Sequence, residues 1–125
     1  MVAERITKGP VHRYTFSEKA ADNATDLVFK DSVGTADGTV RGEGASFSGS
    51  RLVLNGGPSS SAAYGDLPNG LLSSNGAANG GSGEFTFETW FKLSVAHTWS
   101  RVFDFGSSQS ADTDNEVLGP GGGGT

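Results

Sequence analysis

The sequence has no cysteine, a single methionine and four prolines. Without cysteine there are no disulfides, no thiol nucleophile and no zinc–thiolate site. No apolar run approaches the length of about eighteen residues that a spanning helix needs, so no membrane span is expected. Positive charge is also scarce, with nine Lys+Arg against fourteen Asp+Glu and a net charge of −5. Nucleic-acid affinity rests on Lys and Arg neutralising phosphates, so no nucleic-acid partner is expected. The opening Met1-Val2-Ala3-Glu4-Arg5 leads into no apolar h-region, and no secretory signal is expected in this stretch. Helix signals are few. Ser17-Glu18-Lys19-Ala20-Ala21-Asp22 has helix-forming composition, yet Asn23 and Asp26 interrupt it within about one turn.

What the chain does have is 125 residues, suited to one domain, and twenty glycines. Leu, Ile, Val and Phe make up about 21% of it, just above the level at which burial fails to offset ordering entropy. These residues fall in short, separated units, which predicts an antiparallel all-β sandwich. In residues 11–17, His12, Tyr14 and Phe16 share one parity, as a half-buried strand requires. Residues 27–30 and 38–40 follow as short strands, with Asp37-Gly38 suited to a tight turn between them. Residues 45–47 and 51–55 flank Ser48-Gly49-Ser50, a hairpin loop by composition. Residues 66–72 read as irregular chain that tucks leucines beneath a sheet edge, and the Gly/Ser/Asn-rich stretch 73–83 as an exposed flexible loop. The clearest strand is residues 84–95. Phe85, Phe87, Phe91, Leu93 and Val95 are odd-numbered, whereas Glu84, Thr86, Glu88, Trp90 and Lys92 are even-numbered. Residues 101–106 form a shorter strand with Phe103 and Phe105 on one face.

Five segments in order carry a resemblance. They are Val11-His12-Arg13-Tyr14-Thr15-Phe16-Ser17-Glu18, Asp31-Ser32-Val33-Gly34 with Asp37-Gly38-Thr39-Val40, Leu52-Val53-Leu54-Asn55-Gly56, Phe85-Thr86-Phe87-Glu88-Thr89-Trp90-Phe91, and Arg101-Val102-Phe103-Asp104-Phe105-Gly106. Together they resemble the laminin-G-like jelly-roll domains of the concanavalin A-like lectin/glucanase superfamily, especially bacterial ones within larger proteins. The resemblance implies a concanavalin A-like jelly roll over residues 11–118, after a lead-in at 1–10 and before a Gly-rich tail at 119–125. It also implies further strands after residues 101–106, one of them containing Trp. The expectation is therefore an N-terminal part of a longer domain, whose partner layer is another copy or the C-terminal half of the same domain. The apolar face of residues 84–95 gives the physical reason, since each large side chain left wet forgoes about 1.5–3 kcal/mol. A minimal sandwich that closes on itself is the alternative.

Candidate chemistry is sparse. Glucanases of the superfamily carry Glu-x-Asp-x-x-Glu, with the two carboxylates of a retaining pair about 5–5.5 Å apart. Here Glu84 and Glu88 share a face but lie roughly 13 Å apart along a strand, and Asp104 is isolated. His12 and His97 connect to no Ser/Asp constellation in the sequence, so no catalysis is expected. Asp112-Thr113-Asp114-Asn115-Glu116 supplies hard oxygens of the kind calcium takes, with Asp112, Asp114, Asn115 and Glu116 as ligands. Val117 occupies the place of an EF-hand glycine, and a solvated acidic loop is the commoner fate of such a run. The resemblance brings calcium at a sheet rim into consideration. Trp90 lies on the polar parity of its strand, where it stacks on a sugar ring beside Glu88 and Lys92, or packs against residues 67–72. Tyr64 is a weaker ligand-binding candidate, and Trp99 is expected to anchor the next strand. Asn23-Ala24-Thr25 matches the N-glycosylation pattern. The expected function is a non-catalytic carbohydrate- or glycoconjugate-binding or adhesion module of a larger bacterial protein, extracellular or at the cell surface. The alternative is a self-associating module that pairs strands with neighbouring copies.

Overall fold

The computed structural model describes residues 9–58, 60–72, 83–96, 100–106 and 115–118. They contain seven strands and no helix: β1 Val28–Phe29, β2 Gly38–Arg41, β3 Ala45–Phe47, β4 Leu52–Leu54, β5 Tyr64–Leu67, β6 Phe103–Gly106 and β7 Asn115–Leu118. Five form a sheet in the order β1-β2-β5-β7-β6, and β3 and β4 form a separate two-stranded sheet. Every strand pairing in both sheets is antiparallel. Among the described residues no helix is long and apolar enough to cross a membrane.

Alternation in the sequence becomes alternation in burial. Gly38 and Val40 are buried in β2 while Thr39 and Arg41 are not, and Ala45 and Phe47 in β3 enclose a half-buried Ser46. A single cluster joins both sheets: Phe29, Val40 and Leu67 from the larger one with Ala45 and Phe47 from the smaller, plus Ala24 and Ala63. Tyr14 and Phe16 extend it, their ring centroids 5.5 and 5.3 Å from that of Phe29. Gly49, at φ 87°, closes the β3–β4 hairpin in a conformation that costs glycine little. Ser48 and Arg51 are joined across it by a 3.1 Å backbone hydrogen bond.

Several sequence expectations are corrected. Residues 11–18 alternate between exposed and half-buried as predicted, but make only one isolated bridge, Tyr14 to Asp31, rather than a strand ladder. Residues 17–22 form no helical turn, and Ala21 instead bridges Phe47. Gly38 has no positive φ and opens β2 instead of turning the chain. It is glycine for room, because a Cβ there would collide with the Phe29 ring and lie 2.9 Å from the Asp66 carbonyl oxygen. Asp66 and Leu67 belong to β5 in mid-sheet, and the strand ends at Pro68, which has no N–H to donate. Leu71 packs against the core as expected. β7 was not expected. It places Asn115 and Glu116 in a paired strand, opposite Gly106 and Phe105, and not in an acidic loop. Asp112, Asp114, His97, Trp99, the 73–82 stretch and the 119–125 tail lie outside the described residues.

The largest departure concerns residues 84–95. Phe85 and Phe87 both reach the rings of β6, as period two requires, with centroids 6.0 Å from Phe85 to Phe105 and 4.5 Å from Phe87 to Phe103. Yet the segment joins neither sheet and carries no ladder. Its contact with β6, an edge strand, runs through the aromatic rings and not through a main-chain ladder.

Candidate functional site

Two features combine chemistry with exposure or burial: a polar knot around Asp31 and the ribbon of residues 84–95. In the knot, residues 11–18 bring His12 and the Arg13 amide beside the loop that follows β1. The Asp31 carboxylate is buried. His12 donates from Nδ1 to Oδ2 at 2.6 Å, and the Ala36 amide reaches the same oxygen at 3.1 Å. Oδ1 accepts from the amides of Arg13, Val33 and Gly34 at 3.0, 3.1 and 2.9 Å. An ionised carboxylate only accepts, which fixes the imidazole proton on Nδ1. Burial alone would raise the Asp31 pKa. The hydrogen bonds from His12 and then from the Gly34, Arg13 and Val33 amides outweigh it and hold the group well below the usual carboxylate range.

The surroundings tie the loop further. Asp37 accepts from the Asp31 amide at 3.0 Å and from Lys30 Nζ at 2.5 Å, and Lys30 followed by that amide lowers its pKa. Tyr14 donates its hydroxyl to the Ala36 carbonyl at 2.7 Å. A carboxylate has about four lone-pair positions, and Asp31 already receives five donors. It has no capacity left for a substrate or a metal, so the knot fixes the loop. Sequence reading missed this His–Asp pair because its members are nineteen residues apart. The only available signal was an Asp followed by Ser-Val-Gly, a run whose amides can fold back onto it.

Elsewhere on the sheet, Arg41 bridges Asp26 at 3.0 Å and Asp66 at 3.4 Å, and those two contacts, Asp26 first, raise its pKa. This network is exposed. Among the described residues no group of His, Asp and Glu is arranged to hold a metal ion. In the Asn23-Ala24-Thr25 run Ala24 is fully buried, and the Thr25 hydroxyl donates to the Gly42 carbonyl at 2.8 Å.

The ribbon is the opposite case. Trp90 is 92% exposed, which removes the expectation that it packs against residues 67–72. Glu88 and Lys92, on the same parity, are exposed beside it. Tyr64 is half-buried in β5, opposite Arg41 in the five-stranded sheet, whereas Trp90 belongs to neither sheet. On the other parity Phe85, Phe91, Leu93 and Val95 are each more than half exposed, and Phe103 of β6 is 43% exposed. Scattered exposed apolar residues are ordinary on a protein surface, but a contiguous row of them marks an interaction surface. Only Phe87 on this parity is half-buried, held between Phe103 and Phe105. No family model, no curated protein and no solved structure matches the chain, so the laminin-G-like resemblance rests on the quoted segments alone.

Proposed function

We propose that this chain is a non-catalytic adhesion or assembly module that binds through residues 84–95, taking up a neighbouring strand. The observation that carries the reading is a twelve-residue segment with period two in its sequence, outside both sheets, with four large apolar side chains of one parity exposed. Adding a strand supplies what the segment lacks. Main-chain hydrogen bonds complete its ladder, and side chains of the incoming strand cover the apolar face. Sedimentation of the chain over a dilution series tests this. Mass should rise with concentration, and Leu93→Asp should hold the chain at monomer mass with the melting temperature of the dilute wild type. A wild-type chain that stays monomeric throughout, with no other binder, would refute it.

A second reading, recognition of glycans in a laminin-G-like jelly roll, is favoured by one observation. Trp90 presents its ring to solvent between Glu88 and Lys92, an arrangement suited to stacking on a sugar and bonding its hydroxyls. It is tested by titrating a panel of neutral monosaccharides into a Trp99→Phe variant and following Trp90 emission. A saturable shift that disappears in Trp90→Ala supports glycan binding, and a flat response contradicts it.

A further inference from the structure

We infer that the strand taken up by residues 85–95 is the same segment of a second copy, antiparallel and centred on Trp90, in a two-fold symmetric dimer. This rests on the association reading above and adds both partner and register.

Charge selects the register. In an antiparallel pair of identical strands the residue at the centre faces itself, and positions equally far on either side face each other. With Trp90 at the centre, Glu88 faces the partner's Lys92, and Lys92 faces the partner's Glu88. Both charged pairs flank a Trp–Trp contact on one side of the ribbon. Sliding the register so that Glu88 is central pairs Lys92 with the partner's Glu84 but sets Glu88 against its own copy, and centring Lys92 sets the lysine against its own copy with no opposite-charge pair. Centring Thr89 or Phe91 places both charges opposite uncharged residues. Parallel pairing in register sets like against like throughout. Opposite charges directly across a ladder stabilise it and like charges destabilise it, so the Trp90-centred register is favoured.

The apolar side gives an independent second argument. In this register Phe85 faces the partner's Val95, and Phe87 faces the partner's Leu93. The ribbon's first half already stacks on the rings of β6, through Phe85 on Phe105 and Phe87 on Phe103 and Phe105. In its second half Phe91 is 62%, Leu93 53% and Val95 62% exposed, and among the described residues Phe91 stacks on no ring. The two-fold therefore sets the uncovered half of each copy against the supported half of the other. Leu93 and Val95 come beside the partner's Phe87 and the partner's Phe85, and each half-exposed Phe103 gains apolar neighbours. A self-complementary patch of this kind closes at two and does not propagate along the ribbon.

The absence of cysteine from the chain makes the register directly readable by crosslinking. Residues opposite each other in an antiparallel pair have Cα atoms about 4.5–5.5 Å apart, within disulfide reach. Under mild oxidation Trp90→Cys should form a covalent dimer. Glu88→Cys alone should not, whereas Glu88→Cys mixed with Lys92→Cys should give the heterodimer. Charge reversal avoids oxidation and keeps Trp90. Lys92→Glu should weaken dimerisation by about tenfold, from two like-charge pairs, and Glu88→Lys combined with Lys92→Glu should restore it. If the chain associates but the Trp90→Cys variant fails to crosslink and the double reversal fails to rescue, the register is overturned while strand-mediated association stands. If the chain associates only with a different protein or with a glycan, the second copy is overturned. If it is monomeric and binds nothing, both proposals fall.

Discussion

Replacing Asp31 with Asn keeps the shape of the side chain and removes its charge, and the knot allows the consequence to be worked out. The amide oxygen of Asn can stay with the Arg13, Val33 and Gly34 amides, which in the wild type donate to Asp31 Oδ1. Its NH2 then faces two donors, His12 Nδ1 and the Ala36 amide. His12, one-third exposed, can present an unprotonated nitrogen, but the Ala36 N–H cannot adapt. One hydrogen bond to a charged acceptor is lost, worth about 1.5–3 kcal/mol, and the others fall toward the smaller value of neutral bonds. The net loss is about 3–5 kcal/mol. At about 4 °C per kcal/mol for a domain of this size, Asp31→Asn should melt roughly 12–20 °C lower. The pH dependence has a fixed sign. Because folding depresses the pKa of Asp31, its contribution is complete above the unfolded value of about 3.9 and is lost as pH falls below that toward the folded one. Wild type should therefore lose stability in the acid limb, and Asp31→Asn should show a flatter one. Thermal melts followed by circular dichroism from neutral to acid pH measure both. A drop under about 4 °C, near 1 kcal/mol, or an unchanged acid slope, would refute the reasoning.

Other outcomes follow from the same geometry. Gly38→Ala should destabilise by about 1–3 kcal/mol, because its Cβ collides with the fully buried Phe29 ring, and chemical denaturation should report this as a lower midpoint at unchanged slope. Arg41→Gln should shift the melting temperature by no more than about 4 °C, since exposed ion pairs contribute little. Trp90→Ala should leave the stability of the dilute, monomeric chain within about 0.5 kcal/mol, as expected of a side chain exposed on its own chain; a larger drop in denaturation midpoint at that dilution would mean that the ring is covered by its own chain.

Much of the fold was legible where local chemistry decides it. The β3–β4 hairpin follows from the alternating Ala45-Ser46-Phe47 and the apolar Leu52-Val53-Leu54 around Ser48-Gly49-Ser50, and the alternation in residues 11–18 survives even where the ladder does not. Three features depended on distant chain. Asp66 and Leu67 look irregular beside Pro68 but gain strand structure from β2 and β7 on either side. Gly38 reads as a turn glycine and is instead dictated by the Phe29 ring packed against it. The Asp31 knot gathers donors from residues 12, 13, 33, 34 and 36, a convergence that spacing does not reveal. The candidate site divides the same way. The two parities of residues 84–95 were plain in the sequence, whereas the exposure of Trp90 and the lack of a ladder depend on what the rest of the chain leaves uncovered.

Amide hydrogen exchange of the peptide covering residues 85–95, followed by mass spectrometry at decreasing protein concentration, tests the central claim most directly. These amides should exchange nearly unprotected when the protein is dilute, while those of β2 and β5 remain slow, and protection should appear as concentration rises. Slow exchange of residues 85–95 in a dilute monomer would contradict the account, because the ribbon would then be paired and covered by its own chain.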